Sequence, residues 1–291
     1  MISNSKVFKH SGRVTLYRIR IFTFCMKHNW KVTFLLILMF FLSQLIGLYI
    51  VGFSVGEELA FGIEKPQFEK ETSYASVFIL IIIVTLIALL LARFKAVRLW
   101  KVWFFISIVF VLTIALSVFV HHYIAFILAL LAAVFKVIKP NVVIHNLSEL
   151  FIYGGLAAIF VESFNVLSIS ILIVLIALYD MYAVWKSKHM VALANFQSKA
   201  KIFAGFLIPY AENRRPRLAL LGGGDAGFPL LFTGVVFVEH GVIALIIPFI
   251  VTLALFLLLY FGNKNKFYPA MPFLGLGCFV GYGLVWLISS V

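Results

Sequence analysis

Only two aspartates occur in this chain of 291 residues, Asp180 and Asp225, and each lies in a stretch that otherwise reads as membrane-embedded. Carrying a carboxylate to the middle of a bilayer costs roughly 3 kcal/mol on insertion scales, so such residues face a wet cavity or a partner. Two carboxylates brought together cannot both ionise easily. They share a proton, which leaves one member able to act as a base and the other as an acid. That chemistry activates water for hydrolysis. A pair of membrane carboxylates also serves proton-coupled transport, through a transporter or a cation channel, and this reading stands as the alternative from a different class.

The two aspartates have different neighbours. Around the first the chain reads Leu178-Tyr179-Asp180-Met181-Tyr182-Ala183-Val184-Trp185. Tyr182 and Trp185 suit the aromatic belt of a membrane interface, and Tyr179 either joins that belt or hydrogen-bonds near the carboxylate. Around the second, Gly222-Gly223-Gly224-Asp225-Ala226-Gly227-Phe228-Pro229 puts four glycines and a proline in eight residues. Small residues of this kind either let helices approach closely or loosen a helix to admit an extended peptide. Pro229 has no N–H to pair with the carbonyl of Asp225, four residues earlier. A third segment, Pro269-Ala270-Met271-Pro272, opens the last apolar run. Its two prolines hold an extended stretch, tolerable at membrane depth only where it is buried in protein or lines a cavity.

The elements that must carry these residues follow from composition. Apolar residues make up 64% of the chain and charged residues 12%, against about a quarter charged in a soluble domain. This is a polytopic, integral membrane protein. The net charge of +13 does not indicate nucleic acid, because the basic residues are scattered in short stretches between apolar runs rather than gathered on one face. Cys25 and Cys278 form no disulfide framework, and neither has a second thiol or a histidine cluster at ligand spacing. No metal or other cofactor is expected.

Nine apolar windows near spanning length, about 20 residues, run Val32 to Phe53, Ala75 to Ala92, Val102 to Val120, Tyr123 to Val137, Val142 to Val161, Val166 to Trp185, Leu218 to Val238, Val242 to Phe261 and Tyr268 to Val291. The organisation expected is a basic amphipathic interfacial segment over 1–31 and a single all-α membrane domain over 32–291. Within that domain, spans one to six occupy 32–185, a cytoplasmic loop 186–217 and spans seven to nine 218–291. With the amino terminus cytoplasmic, every Lys and Arg of the 24 except Lys65 and Lys70 falls on the inner side. The carboxy terminus is then outside, and Glu149 and Glu162 read as interfacial. Asp180 and Asp225 come to lie on antiparallel spans at nearly one depth, roughly 8–11 Å below the inner boundary at the helical rise.

Tyr179-Asp180, Gly222-Gly223-Gly224-Asp225 and Pro269-Ala270-Met271-Pro272, in this order on spans six, seven and nine, resemble the Tyr-Asp, Gly-x-Gly-Asp and Pro-Ala-Leu motifs of the presenilin and signal peptide peptidase family. The resemblance covers nearly the whole chain. It implies a presenilin-like fold and an intramembrane aspartyl protease, with Asp180 and Asp225 as the catalytic pair. It also implies a role in holding substrate for Tyr179, Gly222, Gly224, Pro269, Ala270, Met271 and Pro272. Met271 stands where the family motif has leucine, a swap that conserves volume. The basic amino terminus and Pro272 are similar to the presenilin branch, and the short loops are similar to its compact microbial homologues. That likeness implies a single chain without obligatory accessory subunits, placed in the cell membrane if microbial, with a homo-oligomer left open. Its partners are the lipid bilayer and membrane-protein or signal-peptide substrates. A helical substrate must unwind before attack, and the Gly222–Gly224 and Pro269–Pro272 regions are expected to offer an edge for strand addition.

Overall fold

The computed structural model describes residues 29–187, 202–212, 215–262 and 268–290. The expected interfacial segment therefore lies outside the described residues up to residue 28, as does much of the expected loop over 186–217. The described residues hold helices α1 (Trp30–Ser54), α2 (Ser73–Arg93), α3 (Val97–Ser117), α4 (His122–Ala133), α5 (Val142–Phe160) and α6 (Val166–Tyr182). A hairpin of β1 (Gly205–Glu212) and β2 (Arg215–Gly222) follows, then α7 (Gly223–His240), α8 (Ile246–Phe261) and α9 (Met271–Ser289). The protein is an all-α polytopic membrane protein to which, among the described residues, this hairpin is added. Seven segments among the described residues are long and apolar enough to cross a membrane, one of them the 39-residue stretch Gly223–Phe261, and His122–Ile138 is a shorter apolar helix.

Polar residues set the helix boundaries. Asn141 accepts hydrogen bonds from the N–H groups of Val143 and Ile144 and so starts α5. Asn165 and Ser168 form a reciprocal capping box at the start of α6. Gly241, at φ 66°, ends α7 and lets the chain turn before α8. Helix α5 lies centrally, against α1, α3 and α7. Its approach to α1 is close because both sides are bare: a Cβ on Gly154 would stand 2.9 Å from the Cα of Gly47. Helix α2 is the opposite case, with only Ser73, Val77 and Ala88 buried along 21 residues.

The hairpin departs from the sequence expectation. The seventh apolar window begins at Leu218, whereas residues 218–222 belong to β2 and α7 starts at Gly223. The burial pattern gives the reason. Ala219 and Leu221 are buried while Leu218 and Leu220 are exposed, the period of two that a strand imposes. Both faces carry apolar residues, so the window reads as a continuous run. β1 and β2 pair antiparallel with Gly205 opposite Gly222, Leu207 opposite Leu220 and Pro209 opposite Leu218. Gly205 is at φ 144°, and a Cβ there would collide with the carbonyl oxygen of Leu221.

Candidate active site

Three helices meet around the aspartates: α6 packs on α7, and α9 packs on both. Asp180 lies near the end of α6 and is 8% exposed. Its Oδ2 accepts the backbone N–H of Met271 at 3.1 Å. Met271 is the first residue of α9, so the carboxylate sits at a helix N-terminus, where unpaired N–H groups and the helix dipole favour negative charge. The carbonyl of Ala270 accepts from Phe273 and Leu274 and closes the first turn, and Pro272, in that turn, needs no intrahelical donor. The expected extended stretch over Pro269–Pro272 is instead mostly helix start: Ala270 already has helical backbone angles and Met271 and Pro272 form the first turn of α9, with Pro269 and Met271 buried and Ala270 and Pro272 half-buried.

Asp225 is half-buried in the first turn of α7. Gly222 precedes that helix in an extended conformation, φ −63° and ψ 145°, and is half-buried, while Gly224 is exposed. A Cβ on Gly222 would stand 3.1 Å from Asp225 Oδ2, so the strand end and the carboxylate are adjacent. The structure therefore brings Asp180 together with Met271 and Asp225 together with Gly222, on helices in mutual contact. Tyr179 is half-buried beside Asp180. Tyr182 and Trp185 are 53% and 65% exposed, as belt residues would be. Among the described residues no cluster of His, Cys, Asp and Glu could hold a metal ion.

Several polar groups near the site were not foreseen. Gln44 of α1 is fully buried and donates from Nε2 to the carbonyl of Ala226 at 3.0 Å, next to Asp225. Its Oε1 has no partner among the described residues. On α5, His145, Asn146, Glu149 and Tyr153 point to the hairpin side. His145 Nε2 lies 2.8 Å from the Gly205 carbonyl, and the Asn146 amide bonds both backbone groups of Leu207. Tyr153 meets the Phe206 ring nearly edge-on at 5.5 Å, and its ring borders the start of α7, where a Cβ on Gly223 would stand 3.3 Å and one on Gly227 3.8 Å from it. Glu149, expected at the interface, is instead 2% exposed and paired with Lys136, whose Nζ also donates to Ser148 Oγ at 3.1 Å. A buried carboxylate needs such a partner, and Lys136 supplies it by turning inward from the five-residue π-helical stretch after α4. The sequence did hold a signal, since His145, Glu149 and Tyr153 recur every four residues on one face of an apolar helix.

The family model described as signal-peptide peptidase, presenilin aspartyl protease matches residues 37–291. The chain belongs to this family. Solved structures agree in fold. A presenilin family intramembrane aspartate protease in space group C222 superposes with a TM-score of 0.63 at 20% identity, covering 88% of this chain and 99% of that one. A structure of a presenilin family intramembrane aspartate protease in space group P2 gives 0.64 at 20% identity, covering 90% and 100%. Comparison with curated protein sequences gives no match. As a member of the presenilin and signal peptide peptidase family, the protein is a multi-pass intramembrane aspartyl protease that acts on membrane-protein substrates within the bilayer.

Proposed function

We propose that Asp180 and Asp225 are the catalytic pair of this presenilin-family protease. The observation that carries this reading is the convergence of α6, α7 and α9, with Asp180 held by the Met271 N–H and Asp225 placed at the end of β2. One carboxylate, ionised, takes a proton from water as the water oxygen attacks the scissile carbonyl carbon. The other, protonated, gives its proton to the carbonyl oxygen, forming a tetrahedral diol. Collapse re-forms the carbonyl and breaks the C–N bond, with a proton passing to the departing nitrogen. No step needs a metal or an organic cofactor.

Substrate binding by strand addition follows from the hairpin. The sheet ends at β2 among the described residues, so its outer edge presents the N–H and C=O groups of Leu218, Leu220 and Gly222. An unwound substrate strand paired there is led past Gly222 to Asp225. Tyr179, Gly224, Pro269, Ala270, Met271 and Pro272 wall the same region, with Met271 also orienting Asp180. Nine spans are supported by the nine described helices and by length: Gly223–Phe261, at 39 residues, is about twice what one bilayer crossing needs. The bend at Gly241 makes it two spans, and His122–Ile138 is the fourth. The charge distribution supports a cytoplasmic side for the hairpin and the amino terminus. The short loops, similar to those of compact microbial homologues of presenilin, support a single chain without obligatory accessory subunits. The test is incubation of the purified protein with a single-span substrate, alongside Asp180→Asn and Asp225→Asn. Both variants are expected to be inactive, and cleavage at the normal rate by either one refutes the pair.

A further inference from the structure

The two edges of the hairpin are not equivalent. Leu207 donates its backbone N–H to Asn146 Oδ1 at 2.9 Å and accepts from Asn146 Nδ2 at 2.7 Å. The side-chain amide thus does what a neighbouring strand residue would do, using one donor and one acceptor. Two residues earlier the Gly205 carbonyl meets His145 Nε2. Both groups must therefore point away from β2. The alternation of a strand then makes 205, 207, 209 and 211 outward-facing on β1, and their partners 222, 220, 218 and 216 outward-facing on β2. The prolines agree with this phase: Pro209 and Pro216 both fall at outward positions, where the missing N–H costs the ladder nothing. So does the hydrogen bond from Gly223 N–H to the Ala204 carbonyl, which continues the inward set.

We propose that Asn146 is a positioning residue: by occupying both outward groups of Leu207 it closes the β1 edge and fixes the register in which a substrate strand, added at β2, meets Asp225. The proposal rests on the strand-addition reading above. Its physical basis is that β2 runs directly into α7 and has its phase set by that helix, whereas β1 needs contacts of its own to hold its register on β2. A slip of one residue turns every side chain of β1 to the other face, and a slip of two moves β1 by about 7 Å along β2. Asn146 and His145, neighbours on α5, grip two positions of β1 two residues apart, and α5 is itself held by its own Asn141 cap and by the buried Lys136–Glu149 pair. The clamp therefore ties the hairpin's phase to the helix core that also packs against α7.

The test compares Asn146→Leu, similar in size but without hydrogen bonds, and Asn146→Asp, which keeps the acceptor for Leu207 N–H and loses the donor. The full-length protein is assayed in liposomes with a single-span substrate, and product ends are read by mass spectrometry. Expected for Asn146→Leu are product ends spread over neighbouring peptide bonds, a KM raised several-fold, and Leu207 amide exchange at least about tenfold faster without substrate. Asn146→Asp is expected to lie between it and the wild type, and it decides the matter alone if Asn146→Leu does not fold. Gly154→Ala controls for general destabilisation and is expected to leave the product ends unchanged. Wild-type product ends and KM in the Asn146 variants overturn the proposal. Leu220→Pro separates this from the underlying reading, because it removes an outward N–H of β2 and no ladder bond. Its normal cleavage refutes strand addition, whereas its loss of cleavage beside wild-type behaviour of the Asn146 variants refutes only the clamp.

Discussion

Helix α5 has an ion pair near each end, and the two are built to different standards. At the hairpin end Lys136 meets Glu149 with side chains 1% and 3% exposed. At the far end Lys65 meets Glu162 at 2.8 Å with side chains 10% and 34% exposed. The buried pair is embedded in a set of partners, since Lys136 also bonds Ser148 and Glu149 neighbours Tyr153. The half-buried pair fastens a loop: Glu162 also accepts the Gly56 N–H at 2.6 Å, Lys65 bonds the Ser54 carbonyl, and Ser163 bonds the Pro66 carbonyl at 2.8 Å. A charge in low dielectric without its partner is costly, whereas one near solvent can rehydrate. The end of α5 that carries the hairpin is therefore the end where polar contacts are all-or-none.

The largest effect expected is on chemistry alone. Asp180→Asn and Asp225→Asn each lower cleavage by about 10²-fold or more, in line with losing an acid or base, while thermal unfolding in detergent stays within a few degrees of the wild type. The next largest separates the two ion pairs. Lys136→Met alone should destabilise by about 3–5 kcal/mol by leaving Glu149 buried and uncompensated, and Lys136→Met with Glu149→Leu should recover most of that loss. A double variant as unstable as the sum of its singles breaks the comparison. Between the two ends, Gly154→Ala should cost about 1–3 kcal/mol through the close contact with Gly47, read as a lower unfolding temperature. The smallest is Lys65→Met, expected to cost no more than about 1 kcal/mol and to leave the cleavage rate unchanged. A loss as large as that of Lys136→Met erases the distinction between the ends.

Parts of this molecule were legible because their physics is local. Asp180 and Asp225 stand out since a carboxylate in an apolar run carries its cost wherever the run folds. The windows beginning at Val142 and Val166 match the starts of α5 and α6, which Asn141 and Asn165 cap by hydrogen bonds within three residues. The β2 strand was not legible, because Leu218–Leu221 is apolar on both faces and its period of two is hidden. The same holds for Glu149. Seven residues from the start of its span, it reads as interfacial unless the inward turn of Lys136 is known, and that turn belongs to another segment. Gln44 gave no warning either, since its bond to Ala226 joins residues 182 positions apart.

By itself the sequence determined the membrane class, the apolar windows and the membership of the three motifs in one family, because hydropathy, charge and motif spacing are properties of neighbouring residues. Only the tertiary structure decided which groups meet: the Met271 N–H on Asp180, the Asn146 amide on Leu207, the Lys136 ammonium on Glu149. Each joins segments that the chain keeps apart. A hydrogen bond or ion pair forms only when folding brings donor and acceptor within about 3 Å, a condition on three-dimensional packing that neighbouring residues do not encode.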